Sequence, residues 1–289
     1  QTNGAATWYE SFGWFGDLQA AGIKNEQMYQ IKLLDPLLIE EGEQAFQEQG
    51  SEYGLDVLTL SGSPVNASQT PIELAQSWNW IGYLPQVEYS VTTAFSNLSI
   101  PVDYIDDVEF IKSQTDGAAT WYESFGWFGD LENNGMKPTK GYQLKMLEPA
   151  TLYYPGDDLT VILSDENQAI NELERNNIQD LLGWNFNPHE YEFNGNITFA
   201  VNNFDDSEGD LLAAFVDGEL RGIAQCLYFP FDDSYIYLMQ VYSNELNGEE
   251  LNFELYDTET GQIHKYTETV IFESDMIIGD GFNTFNLSQ

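Results

Sequence analysis

Residues 4–18, GAATWYESFGWFGDL, return without a change at residues 117–131, and a repeat of that fidelity sets the organisation of the chain before any motif is weighed. The copies stay in register beyond the identical block, through Gly22/Gly135, Lys24/Lys137, Tyr29/Tyr142, Gln30/Gln143, Lys32/Lys145, Leu34/Leu147 and Pro36/Pro149, at a spacing of 113 residues. That is the size of a domain and not of a solenoid turn. Within each copy, Tyr29-Gln30-Ile31-Lys32-Leu33 and Tyr142-Gln143-Leu144-Lys145-Met146 alternate apolar with polar, the period of a strand with one buried face. The repeat is therefore expected to be built of strands.

Working outward, the second copy is preceded by a Leu58-Thr59-Leu60 strand, a Gly62-Ser63-Pro64 turn and the strand Ser77-Trp78-Asn79-Trp80-Ile81-Gly82-Tyr83. A short helix within residues 87–98 and a strand Val108-Glu109-Phe110-Ile111-Lys112 follow. The first copy has no counterpart to these. The reading is a partial module with an acidic connector at 1–57, a complete module at 58–163, an acidic and partly helical connector at 164–183, and a different unit at 184–289. In that last unit, residues 196–201 alternate as a strand, and further strand runs at 211–216, 219–227, 235–242, 251–256, 263–272 and 282–287 are punctuated by Asp217-Gly218 and Thr260-Gly261 turns, the spacing of a β-sandwich. The expected class is all-β: tandem β-rich modules, then a C-terminal β-sandwich, with minor helical connectors.

Composition sets the outer limits. With 42% hydrophobic and 15% aromatic residues in 289, the chain can bury ordinary cores, yet 48 acidic residues face only 9 basic ones, a formal charge of -39. Such a surface repels phosphate backbones and anionic headgroups, so nucleic acid and membrane are poor partners. It also repels copies of itself, so self-association needs salt, divalent cations or strong specific contacts. Cys226 is alone, which excludes an internal disulfide framework and a Cys-rich zinc site, and its strand-like setting predicts a buried apolar role. No apolar run is long enough to span a bilayer as a helix. The sequence opens on Gln1 without a basic and apolar leader, as expected of a processed form or an excerpt.

The series SWNWIGY, DDVEFIKSQ, GAATWYESFGWFGDL and KPTKGYQLKMLEPATLYYP resembles the Trp-rich module of secreted, multimodular surface proteins, chiefly of Bacteroidota. The tail, with WNFNPHEYEFNGNITFAV, GDLLAAFVDGELRGIAQ and YLMQVYSNELNGEELNFELYD, is similar to the β-sandwich domain that accompanies it. The architecture also resembles that of the protomers of extracellular protein fibrils from natural waters. The resemblance covers most of 58–163 and 184–289, and it implies display outside the cell or on its surface, with no established reaction.

The candidate residues follow from scarcity and clustering. Trp8, Trp14, Trp121 and Trp127, with the adjacent Tyr9, Phe15, Tyr122 and Phe128, are either core or exposed platforms for assembly or for glycan rings. Adjacent strand residues point to opposite faces, so one of each pair is a surface candidate. Lys24 and Lys137 occupy matching positions among few cations, either pairing within the module or meeting an acidic neighbour. Asp205, Asp206, Glu208 and Asp210 crowd one loop with the hard oxygens that calcium prefers, without EF-hand order. Calcium is thus the one cofactor candidate, against a solvated acidic loop as the default.

His189 and His264 are the only histidines, and no nucleophile triad or phosphate-binding glycine loop is apparent, so no enzyme activity is expected. Asn66, Asn97, Asn196 and Asn286 head glycosylation sequons. The leading expectation is an extracellular structural protein that assembles head to tail with copies of itself, the half-module being completed by a preceding portion or by a neighbour. The alternative is a glycan-binding module of a larger adhesin or enzyme.

Overall fold

The computed structural model describes residues 7–9, 13–15, 24, 28, 65–98, 110–122, 125–156 and 178–288, and it is all-β with short helices. In the first copy, β1 (Thr7–Tyr9) and β2 (Gly13–Phe15) form an antiparallel hairpin with Thr7 opposite Phe15 and Trp8 opposite Trp14. The second copy contributes β3 (Ile72–Leu74), β4 (Ser77–Gly82), β5 (Phe110–Lys112), β6 (Ala118–Tyr122), β7 (Gly126–Phe128), β8 (Gly141–Met146) and β9 (Ala150–Leu152). Of these, β4-β8-β5-β6-β7 lie side by side in one sheet, while β3 pairs with β9. The β6–β7 hairpin repeats the first copy's register, Thr120 opposite Phe128 and Trp121 opposite Trp127. Identical residues give identical pairing.

Alternation then sorts the side chains of this sheet into two faces. Ile81, Ile111, Ala119, Trp127, Tyr142 and Leu144 are buried in one cluster with Tyr89, Phe95 and Tyr154, each large side chain contributing about 1.5–3 kcal/mol by its burial. Two short helices, α1 (Val91–Ala94) and α2 (Asp130–Asn134), close that face through Val91, Ala94 and Leu131. Ser90 caps α1, its hydroxyl accepting the Thr93 N–H at 3.2 Å, which satisfies a helix-start donor. Gly129, between β7 and α2, has φ 142°, and a Cβ there would lie 2.4 Å from the Ala118 carbonyl oxygen. The repeat word GWFG therefore ends in a residue that only glycine can supply.

The remaining strands are β10 (Phe193–Asn202), β11 (Leu211–Val216), β12 (Glu219–Phe229), β13 (Ser234–Ser243), β14 (Asn247–Asp257), β15 (Gln262–Glu273), β16 (Ile277–Ile278) and β17 (Phe285–Ser288). They belong to one continuous sheet in the order β15-β14-β11-β12-β13-β10-β16, with β17 also on β10. The two layers of the expected sandwich are halves of this single curled sheet. β12 joins them: residues 219–225 pair with β11 and residues 226–229 with β13. Where β12 and β13 part, a Cβ on Gly222 would sit 2.4 Å from the Gln240 carbonyl oxygen, so glycine permits the close crossing. Phe199 of β10 meets Phe253 of β14 across the interior at 4.8 Å, within a core that also holds Cys226, Met239 and Leu255.

Asp217 and Gly218, both at positive φ, form the tight β11–β12 turn that their sequence predicts. Residues 178–182 are helical, and with Trp184 they cover Leu211, Ala213 and Leu220 on the outer side of the sheet. The end of the acidic connector thus packs on the C-terminal unit. Expectations for the strand at 29–33, for residues 40–64, for 99–109 and for the connector before residue 178 lie outside the described residues.

Candidate functional site

Alternation sends Phe110, Lys112, Tyr122 and Phe128 to the face of the five-stranded sheet opposite its core. That face is not left to solvent. The curled sheet docks on it, and the joint has a polar half and an aromatic half.

The polar half is built on the IKSQ segment at the end of β5. Lys112 is 1% exposed, and its Nζ donates to Asn194 Oδ1 at 2.6 Å and to Asp275 Oδ1 at 2.8 Å. The Trp78 ring lies 5.1 Å from the same cation, a further electrostatic contact. Burial pulls the Lys112 pKa below its ordinary value, and the Asp275 charge opposes part of that fall. Beyond it, the Ser113 carbonyl accepts from Gln240 Nε2 at 2.9 Å, and the Gln114 carbonyl accepts from the Tyr242 hydroxyl at 2.8 Å. These bonds satisfy backbone groups that docking would otherwise strand away from water.

The aromatic half is the repeated hairpin. Phe229, fully buried at the end of β12, lies 5.9 Å from Tyr122, 6.1 Å from Phe125 and 5.2 Å from Phe128. Phe125 stacks flat on Phe231, and Phe282 meets Tyr122 edge-on at 5.7 Å. The Gly281 N–H donates to the Tyr122 hydroxyl at 2.7 Å. A Cβ on Gly281 would stand 2.4 Å from the Phe229 ring, so glycine admits the loop to the cluster. Desolvation raises the Tyr122 pKa to about 12, the mark of a hydroxyl withdrawn from water into the joint.

The candidate residues separate accordingly. Trp127 is core, against Phe95, and Trp121 meets it at 5.6 Å while packing on the same cluster. Trp8 and Trp14 occupy matching cross-strand positions in β1 and β2. Lys137 pairs within its module, 2.9 Å from Asp116 Oδ1; its counterpart in the first copy, Lys24, is exposed.

The acidic loop does not form a cation cage among the described residues, where no group of three or more His, Cys, Asp or Glu is placed to hold a metal ion. Asp210 is buried and committed to donors: Ser207 N–H, Thr258 N–H and the Thr258 hydroxyl, at 2.8 to 2.9 Å. Asp206 instead accepts from the Tyr237 hydroxyl at 2.7 Å, while Asp205 and Glu208 are exposed. Desolvation, reinforced by Asp210 and Asp205, lifts the Asp206 pKa to about 6.

Cys226 is buried, and desolvation pushes its thiol up to about 12, so it is no nucleophile. His264 lies 3.9 Å from Asp257 between β14 and β15, and His189 sits in a surface 3-10 turn. Of the sequons, Asn196 is 8% exposed within β10, whereas Asn66, Asn97 and Asn286 are exposed.

Sequence reasoning missed Lys112 as a joint residue, and it missed Phe229, Phe231 and Phe282 altogether. The signal for the first was a scarce cation in an apolar run. For the others it was only apolar rings at a strand end and in turn-rich loops. No protein-family model, curated protein or solved structure matches the chain.

Proposed function

We propose that this chain is a non-enzymatic, extracellular structural protein, the protomer of a self-assembling surface fibril or adhesive appendage. One observation carries the reading: the hairpin word at 117–131 is the adhesive face that holds the curled sheet, and the same word, in the same register, stands at 4–18. A protein that needed only one internal joint has no physical use for a second, unaltered copy of its contact residues. A duplicated adhesive face suits a chain that joins further units of its own kind, and head-to-tail contacts that do not close give filaments. The test is electron microscopy with sedimentation of the full chain over a salt series. Filaments or a concentration-dependent ladder are expected, and dispersed monomers under all conditions would reject the reading.

A second reading has its own observation. Phe231 and Phe282 are 42% and 49% exposed at the joint, rings of the kind that stack on sugars. Saturable glycan binding by a monomeric protein, lost on Phe282→Ala, would favour a carbohydrate-binding module.

A further inference from the structure

The joint leaves one side of its aromatic cap open. Phe231 carries Phe125 flat on one face, and Phe282 meets Tyr122 edge-on, yet both remain more than two-fifths exposed. Apolar rings gathered at the rim of an existing interface are a surface that water does not favour. The partner chemistry that suits the cap is already seated on it, since residues 117–131 supply Tyr122, Phe125 and Phe128. Residues 4–18 carry the same set as Tyr9, Phe12 and Phe15, and β1–β2 pair as β6–β7 do. Among the described residues there are two such hairpins and one such cap, one side of which is taken.

Resting on the assembly reading above, we infer that the open side of the Phe231/Phe282 cap receives residues 4–18 of a second copy of this chain. The cap sits on Phe128 of β7, at one edge of the five-stranded sheet, whereas the first copy reaches β4 at the other edge. There the Met28 N–H points at the Trp80 carbonyl at 3.5 Å, and the Met28 side chain lies over Gly141. Because residues 4–18 and the cap are different stretches of the same chain, a contact between them across two copies is heterologous, and such a contact repeats in one direction unless it closes.

The experiment uses two full-length chains, one with Phe15→Gln and one with Phe282→Gln, studied by sedimentation velocity in salt where the wild type assembles. Each alone should need a concentration higher by roughly tenfold or more to assemble, because each removes an aromatic anchor from every contact. Mixed at equal amounts, they should give dimers and nothing longer, since each chain keeps only one working surface. Assembly of either variant at the wild-type concentration, or no dimer on mixing, overturns the inference while leaving the fibril reading intact. A wild type that never assembles rejects that reading, and the inference with it.

Should Phe282→Gln prove poorly folded, disulfide trapping replaces it. A Phe15→Cys chain mixed with a Phe282→Cys chain should yield a crosslinked heterodimer, with the buried Cys226 as a silent background. Absence of that product overturns the inference, as does glycan binding at the cap by a protein that stays monomeric.

Discussion

Lys112 shows how much one side chain can commit in this protein. Its charge is buried, so its stability depends on keeping both Asn194 and Asp275 as partners. Lys112→Ala should cost about 1–3 kcal/mol in urea unfolding, towards the lower end because Asp275 is 39% exposed and water can replace the lost cation. A change below about 0.5 kcal/mol, the scale of an ordinary surface substitution, would mean that the joint does not rely on this pair.

Asp206 works in the opposite sense. Its pKa of about 6 lies above the ordinary carboxylate value of about 3.9, so the folded chain binds this proton more tightly than the unfolded one. The resulting stability is fully present below about pH 4 and is lost as pH rises through about 6. Asparagine can still accept the Tyr237 hydroxyl but cannot ionise. Asp206→Asn should therefore match the wild type near pH 4 and melt roughly 2–4 °C higher at pH 8, a modest gap because water reaches the loop. An equal gap at both pH values would reject Asp206 as its source.

At the scale of elements, the β6–β7 hairpin is two-sided, with Trp121 and Trp127 turned to one core and Tyr122 and Phe128 to another unit. Phe229 is the ring on which that second side converges. Phe229→Ala should cost about 3–5 kcal/mol, as for other fully buried aromatics, and the loss should fall on the joint before either sheet. Calorimetry is expected to resolve two transitions, one for each sheet; a single transition with its midpoint unmoved would show that the rings are not what couples them.

The division between what could and could not be read in advance follows from this two-sidedness. Alternation in YQLKM, the apolar run LLAAFV and the Asp217-Gly218 turn signal marked strands and a turn that the structure contains, because each of these signals is written locally. Alternation also places Tyr122 opposite Trp121, but it does not say what covers the second face. That partner lies more than a hundred residues away, in Phe229, Phe231 and Phe282, which follow no period. The acidic loop was open to two readings for a related reason. Carboxylates are abundant in this chain, and only three-dimensional placement shows that Asp210 is filled by N–H and O–H donors. The sandwich was legible as strand spacing, while its closure from one sheet depended on Gly222 and on β12 changing partners, a non-local event.

For the whole molecule the deciding quantity is charge. At -39, every compact or associated state gathers like charges that extended or separate chains keep apart, so added salt should favour both folding and assembly. The Debye length falls from about 30 Å at 0.01 M to about 8 Å at 0.15 M ionic strength, short enough to separate one unit's surface from the next. The contacts that hold the joint respond differently. Lys112 and Asn194 are buried although Asp275 is part-exposed, and the Phe229 cluster is apolar, so these contacts lose less to screening than surface ion pairs do. Raising sodium chloride across that range should therefore raise the melting temperature of the full chain and lower the concentration at which it assembles, where surface ion pairs alone would weaken with salt. A chain bearing Phe282→Gln separates the two effects, because its melting temperature should still climb with salt while its sedimentation coefficient stays that of a monomer. If salt instead lowered the melting temperature of the wild type, local ion pairs would outweigh the net charge, and repulsion could not be the term that assembly has to overcome.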